Sequence, residues 1–272
     1  MEERNPWLLP ALVVVVLGIV GLMYWGDFFS QPPPEPDVEL PAYEEPDPLP
    51  EGEPRYPMPE PDPGTQEQFD LVALPALDDS DAYFLLEVAG KFGPAIEALL
   101  VREAVIDKLV ATIDNLDRQQ LSEQVRPVGR LQDSFSSDTG RDGEIILGHS
   151  SYARYDALVA TIYYADVDAV YDMYRRFYPL FQKSYERLGY PNNYFNDRLV
   201  QVIDHLVATP VLNRSIVLTR PNVLYEFADP DLESLSSGQK LLLRMGPDNS
   251  ATLKRLLEKF RAKLVGGSGL AD

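Results

Sequence analysis

Cysteine is absent from this chain of 272 residues. Its absence excludes disulfides, thiolate metal sites and lipid attachment through a thiol. Histidine occurs twice, at His149 and His205, so a transition-metal site would have to draw on distant carboxylates. No stretch matches G-x-S-x-G, a Walker loop, G-x-G-x-x-G or H-E-x-x-H, and the residues present point to no metal and no cofactor. Positive charge is also scarce. The 24 Lys and Arg residues stand against 43 Asp and Glu, and a formal net charge of −19 argues against nucleic acid as a partner. No self-similarity appears at the period of a solenoid.

What is present begins with an uncharged run, Trp7 to Trp25, WLLPALVVVVLGIVGLMYW. At ~1.5 Å per residue a helix of about 19 residues measures roughly 28 Å, close to a hydrocarbon core of ~30 Å. Trp7 at one end and Tyr24 and Trp25 at the other suit the headgroup level. A cleaved signal peptide is the rival reading. Its basic start is missing, since Arg4 faces Glu2 and Glu3, and Tyr24-Trp25-Gly26-Asp27-Phe28-Phe29 is too bulky for a small-residue cleavage site. The run therefore reads as an uncleaved single-pass anchor within residues 1–29. Arg4 on one side and acid on the other place the N-terminus in the cytoplasm and the remainder outside it.

Residues 30–68 are a different material. Proline falls at every second or third position, acids fill the gaps, and Arg55 is the only basic residue. Too few apolar side chains are available to offset ordering entropy, so the segment is expected to be a disordered tether, stiffened by proline and extended by like charge. A solvated spacer and a ligand for a proline-binding or basic partner are both consistent with it.

From residue 69 to 265 the composition is globular and large enough for one core; residues 266–272 read as a disordered tail. The expected fold is mainly α, a single helical domain with one or two short β-hairpins. Helices are expected from Asp78–Ser80 to Lys91, from Ala95 to Leu116 with a break near Val101, over Tyr152–Tyr164, Asp166–Leu188 and Asn193–Ala208, and near Leu235–Arg244 and Ser250–Leu264. His149-Ser150-Ser151 reads as a cap for the helix from Tyr152. Thr139-Gly140-Arg141-Asp142-Gly143 suggests one hairpin; Ser215–Thr219 and Val223–Phe227 form either a second or an irregular connection.

The helix over 166–188 is the clearest amphipathic one. Val167, Tyr171, Tyr174, Tyr178, Phe181, Tyr185 and Leu188 follow steps of four and three and make one stripe. Pro179 is expected to kink it. The stripe reads as core; its alternative is an aromatic platform for a glycan or proline-rich ligand. In the helix after it, Phe195, Leu199, Val202, Leu206 and Ala208 are expected to face the core. Asp197, Asp204 and His205 lie on or near the opposite face and are the candidates for acid–base work, because a carboxylate can orient or charge a histidine that titrates near neutral pH. Tyr190, Tyr194, Arg198 and Gln201 are the candidate binding residues beside them. The structural alternative is that these groups cap and pair helices.

Near the C-terminus Lys240, Arg244, Lys254, Arg255, Lys259, Arg261 and Lys263 outnumber Asp248 and Glu258. With Leu253, Leu256, Leu257, Phe260 and Leu264 turned inward, the exposed face of the last helix is expected to be basic. It would attract the acidic tether, anionic lipid or an acidic wall polymer, or be an ordinary solvated face.

The strings VATIDNL, YARYDALVA, YRRFYPLFQKSYERLGYPNNYFNDRLVQVIDHLVATP and RPNVLYEFADPDLESLSSGQKLLLRMGPDN resemble the bacterial family catalogued as domain of unknown function 3014. The resemblance spans roughly Leu77 to Phe260. It implies an envelope protein of a Gram-negative bacterium, anchored in the inner membrane through residues 7–25 with its domain in the periplasm. It carries no functional residue over. The function expected is an interaction or scaffold module of the cell envelope, with an envelope protein or wall polymer as partner. The alternative is a glycan (peptidoglycan) hydrolase or lyase working through carboxylates.

Overall fold

A computed structural model describes residues 53–58, 73–128, 135–163, 166–212, 214–221 and 224–266. The expected anchor, most of the proline-rich segment and the tail lie outside the described residues. Among the described residues no helix is long and apolar enough to cross a membrane.

Helix α1 (Asp81–Phe92) buries Phe84, Leu85, Val88 and Phe92, an apolar face at helical spacing. Ser80 stands at its N-cap position, but its hydroxyl donates back to the Leu77 carbonyl at 2.7 Å. Gly93 ends α1, and α2 (Pro94–Glu97) starts on Pro94, where a missing N–H costs nothing. The break expected near Val101 is present. Val101 N donates to the Pro127 carbonyl at 2.8 Å, and α3 (Val105–Asn115) starts afresh. Ala104, just ahead of α3, has a left-handed φ of 51°. The Asp81 carboxylate offsets that strain by accepting from Ala104 N at 2.7 Å and Val105 N at 2.9 Å, so α1 caps α3.

Helix α4 (His149–Tyr163) starts earlier than expected. Gly148, and not residues 149–151, closes the first turn, its carbonyl accepting from Ser151 N and Tyr152 N at 3.0 and 3.2 Å. Helix α5 (Val167–Arg187) is capped by Asp166, which accepts from Asp168 N at 2.8 Å. Its buried stripe is Val170, Met173, Tyr174, Phe177, Leu180, Phe181, Ser184 and Tyr185. This stripe is turned from the one expected from the four- and three-residue steps. Val167, Tyr171 and Tyr178 sit half-buried on its edge and Leu188 is 41 % exposed. A phenol needs a polar partner, so Tyr178 stays at the rim, where its hydroxyl donates to Gln182 at 3.2 Å, while Met173, Phe177 and Leu180 take the centre. Pro179 remains inside the helix on its exposed side, where water can meet the carbonyl it leaves unpaired.

Helix α6 (Phe195–Val207) buries Phe195, Leu199, Val202 and Leu206 as expected. Ala208 is exposed instead of buried, because the helix ends at Val207 and the next inward group is Thr209, whose hydroxyl donates to the Leu206 carbonyl at 2.6 Å. Three helices follow: α7 (Pro230–Glu233), α8 (Ser237–Arg244) and α9 (Pro247–Gly266). In the main core α5 packs against α3, α6 and α9, and α9 also covers α4.

Both hairpins form, and they join. Strands β1 (Asp138–Thr139), β2 (Ile145–Leu147), β3 (Ile216–Thr219) and β4 (Glu226–Phe227) make one antiparallel sheet in that order. Ile146 pairs with Val217 and Leu147 with Ile216 across the middle. A second, smaller core lies under the sheet, built from Leu147, Ile216, Leu218, Phe227, Leu232 and Leu243.

Residues 53–58 differ from the expectation of a tether without attachment. Exposure alternates along them: Glu53, Arg55 and Pro57 are exposed, while Pro54, Tyr56 and Met58 are half-buried. That is the pattern of an extended strand with one face on the domain. Tyr56 and Met58 pack against the main core.

Candidate functional site

Helix α6 carries every candidate residue except Tyr190 and Tyr194, which lie in the turn leading into it. The structure assigns them to four separate contacts. Arg198 is the densest. Its Nε donates to Asp114 Oδ1 at 2.7 Å, Nη1 and Nη2 donate to the Asp117 carboxylate at 2.8 Å each, Nη2 also reaches the Asp114 carbonyl, and Nη1 donates to Gln201 Oε1 at 3.1 Å. The side chains of Arg198 and Asp114 are 11 % and 5 % exposed. Burial alone would disfavour the Arg198 charge, but the Asp117 and Asp114 carboxylates outweigh it and hold the pKa above the ordinary arginine value. The guanidinium fork ties α6 to the end of α3.

Tyr190 closes this knot from outside. Its ring stacks on Tyr185 at 4.7 Å between centroids, and its hydroxyl lies 3.5 Å from both Asp114 Oδ2 and Arg118 Nη2. Burial, then the Asp114 charge, raises its pKa. Tyr194 is half-buried at the N-cap position of α6.

The three acid–base candidates do not meet. Asp197, in the first turn of α6, accepts from the backbone N–H groups of Arg55 and Tyr56 at 2.9 and 2.7 Å. Asp204, near the other end, is held by the guanidinium of Arg261 on α9, with Nη2 to Oδ2 at 2.9 Å. His205 Nε2 lies 2.8 Å from Ser236 Oγ. That oxygen caps α8 by accepting from Gln239 N at 3.2 Å, which leaves its proton for the imidazole.

The C-terminal basic face also differs from expectation. Arg244 is buried, stacked over the Phe227 ring at 5.1 Å, and burial lowers its pKa to about 10. Carboxylates neutralise three more: Glu233 takes Lys240, Asp204 takes Arg261 and Asp168 takes Lys263. Lys254, Arg255 and Lys259 are left with no carboxylate among the described ion pairs.

Lys254 and Arg255 face a groove of about 800 Å³ that sequence reasoning missed. One wall comes from β2 and the start of α4 (Ile146, His149, Tyr152), another from Val211–Leu212 and Arg214, and the third from α8–α9. Lys254 donates to the Thr209 carbonyl, and burial lowers its pKa. Tyr152 donates to the Leu147 carbonyl at 3.0 Å and fixes the floor. Val211, 73 % exposed, stands at the rim. The groove mixes apolar surface with charge of both signs, a lining suited to an amphipathic ligand. Asp138 and Glu258 line it beside Lys254, Arg255 and Arg214, and Arg214 is paired with Asp229. Its walls come from segments far apart in sequence, so no local pattern marks it; the surplus of base in the last helix was its only signal.

A family model described as protein of unknown function (DUF3014) matches residues 105–261, more than half of the chain. The match takes in the Arg198 knot, His205 and every residue that lines the groove. No curated protein and no solved structure matches the chain.

Proposed function

The chain belongs to the DUF3014 family, and on that premise we propose that it is a membrane-anchored interaction module of the bacterial cell envelope, its helical domain held outside the cytoplasm by the N-terminal span. One observation carries the choice of a binding role over a hydrolytic one. Each acid–base candidate already serves a structural contact: Asp197 with residues 55–56, Asp204 with Arg261, His205 with the cap of α8. A glycosidase needs two carboxylates facing one substrate cleft. The groove supports the binding role, since its apolar surface with charges of both signs fits an amphipathic segment of an envelope component.

Two experiments test the reading. A reporter active only outside the cytoplasm, fused after Asp272, is expected to be active; activity of a cytoplasmic reporter alone at that position refutes the topology. For the binding role, the full chain carrying a photo-crosslinker at Val211 is expected to give one discrete envelope adduct. Release of soluble fragments from purified peptidoglycan, abolished by Asp204→Asn or His205→Ala, would instead establish the hydrolase.

A further inference from the structure

Proline has no backbone N–H, so in Pro54-Arg55-Tyr56-Pro57 the only donors are those of Arg55 and Tyr56. One carboxylate, Asp197, takes both. The next backbone group is read as well: Asn196 Nδ2 donates to the Tyr56 carbonyl at 2.7 Å. Asn196 is fully buried, and its Oδ1 accepts from the Tyr174 hydroxyl at 3.1 Å, which fixes the amide with its nitrogen towards the strand. Three of the four backbone polar groups of Arg55 and Tyr56 thus meet two neighbouring side chains of α6.

The side chains follow the same logic. Pro54, Tyr56 and Met58 turn inward, and Tyr56 and Met58 reach the main core. Arg55 turns outward and covers the Tyr56 ring at 5.5 Å. Tyr56 precedes a proline, which biases it to the extended form, and the flanking prolines lower the entropy lost on docking. Backbone hydrogen bonds with alternate side chains in contact are the signature of extended-peptide recognition.

We propose that Asn196 and Asp197, with the core surface beside them, are a binding site for an extended proline-flanked peptide, filled in cis by Arg55–Met58. The tether is therefore strapped to the domain at residues 55–56. Opening the strap lengthens the reach of the domain and frees the site for a similar segment of another chain.

Trypsin reads this directly, because Arg55 is the only Lys or Arg between Arg4 and Lys91. The full chain in detergent is expected to be cut after Arg55 at least about tenfold more slowly than a synthetic peptide of residues 51–60, since cleavage follows the population of the open form. Asp197→Ala is expected to bring the rate close to that of the peptide. Tyr56→Ala, which alters the strap and no helix, is expected to do the same if Asp197→Ala fails to fold. The Tyr56→Ala chain, its site vacated, is expected to bind the labelled 51–60 peptide saturably at up to ~1 mM, the range of effective concentration a short linker supplies in cis. Cleavage of the unaltered chain at the peptide's rate, or no saturable binding in that range, overturns the proposal.

Discussion

Arg198 shows how far one side chain can decide a local arrangement. It has five donors, and the structure directs them to two carboxylates, a carbonyl and an amide. Removing it leaves Asp114 buried with only the longer contact to Arg118 at 3.6 Å, and breaking such a buried pair costs about 3 kcal/mol. Arg198→Ala is therefore expected to lower the free energy of unfolding by about that much in urea titration, and Arg198→Lys to recover little, since an ammonium cannot span both carboxylates. The tyrosines make a second prediction at this scale. Burial raises the pKa of Tyr174, Tyr178 and Tyr185 above the free phenol value of 10.0, to about 12 for Tyr178. The folded state thus holds their protons more tightly than the unfolded state. Their contribution is whole below pH 10 and is lost as pH rises towards the folded values. Arg244, lowered to about 10, and Lys254, also lowered by burial, act in the opposite direction, but they are two groups against these three and the likewise raised Tyr152, Tyr171 and Tyr190. Stability is expected to fall between about pH 10 and 12, with phenolate absorbance appearing together with loss of helix; phenolate well before unfolding would count against the burial. Nothing in the residue pattern of α6 distinguishes Asp197 as a backbone acceptor from Asp197 as an acid. That was decided by residues more than a hundred positions away.

At the scale of elements, joints are more specific than helices. Helix α8 abuts the end of α3: Ser237 N donates to the Arg118 carbonyl at 2.7 Å and Gly238 N to the Leu116 carbonyl at 2.9 Å. The first donors of one helix thus satisfy acceptors at the end of another. A β-carbon on Gly238 would stand 2.9 Å from the Leu116 carbonyl oxygen, so Gly238→Ala must separate the two ends. Gly246, between α8 and α9, has φ +83°, and a β-carbon there would press on the Tyr152 ring at 2.6 Å. Gly246→Ala is expected to cost about 2 kcal/mol or more, from left-handed strain and the displaced ring together. The α1–α3 joint yields the opposite sign. Ala104→Gly, relieving a left-handed alanine, is expected to raise stability by about 0.5 kcal/mol, and Asp81→Ala to lower it by ~1–2 kcal/mol by removing the cap on α3. Thermal melting of these four variants distinguishes the signs. Most helices and the first hairpin were legible from apolar spacing, Pro–Gly breaks and turn residues; the second hairpin was legible only as one alternative to an irregular connection. The shift of the α5 stripe was not, because Tyr and Phe score alike as apolar, and which of them reaches the centre, Phe177 and Tyr174 but not Tyr178, is set by the helices packed against α5.

Over the whole molecule, two cores of unequal size share one chain. The main one gathers α1, α3, α5, α6 and α9; the smaller one sits beneath strands of two to four residues. Short strands at the ends of a small sheet open at lower free energy than a helix buried along its length. Native-state hydrogen exchange is expected to show the amides of β1 and β4 exchanging well before those of α5 and α6. Exchange of both sets at one common rate would mean a single cooperative unit. The groove lies where these two parts meet, between the sheet and α8–α9.

Composition and periodicity by themselves determined the apolar N-terminal run, the proline-acid segment, the helical class and the positions of most helices, because these depend on the residue's own chemistry and its near neighbours. The tertiary structure alone decided which hairpins join, which arginines are exposed, and what Asp197, Asp204 and His205 touch. Those outcomes depend on contacts between segments far apart in sequence, and a charged side chain looks the same in one dimension whether it meets water, substrate or a buried partner.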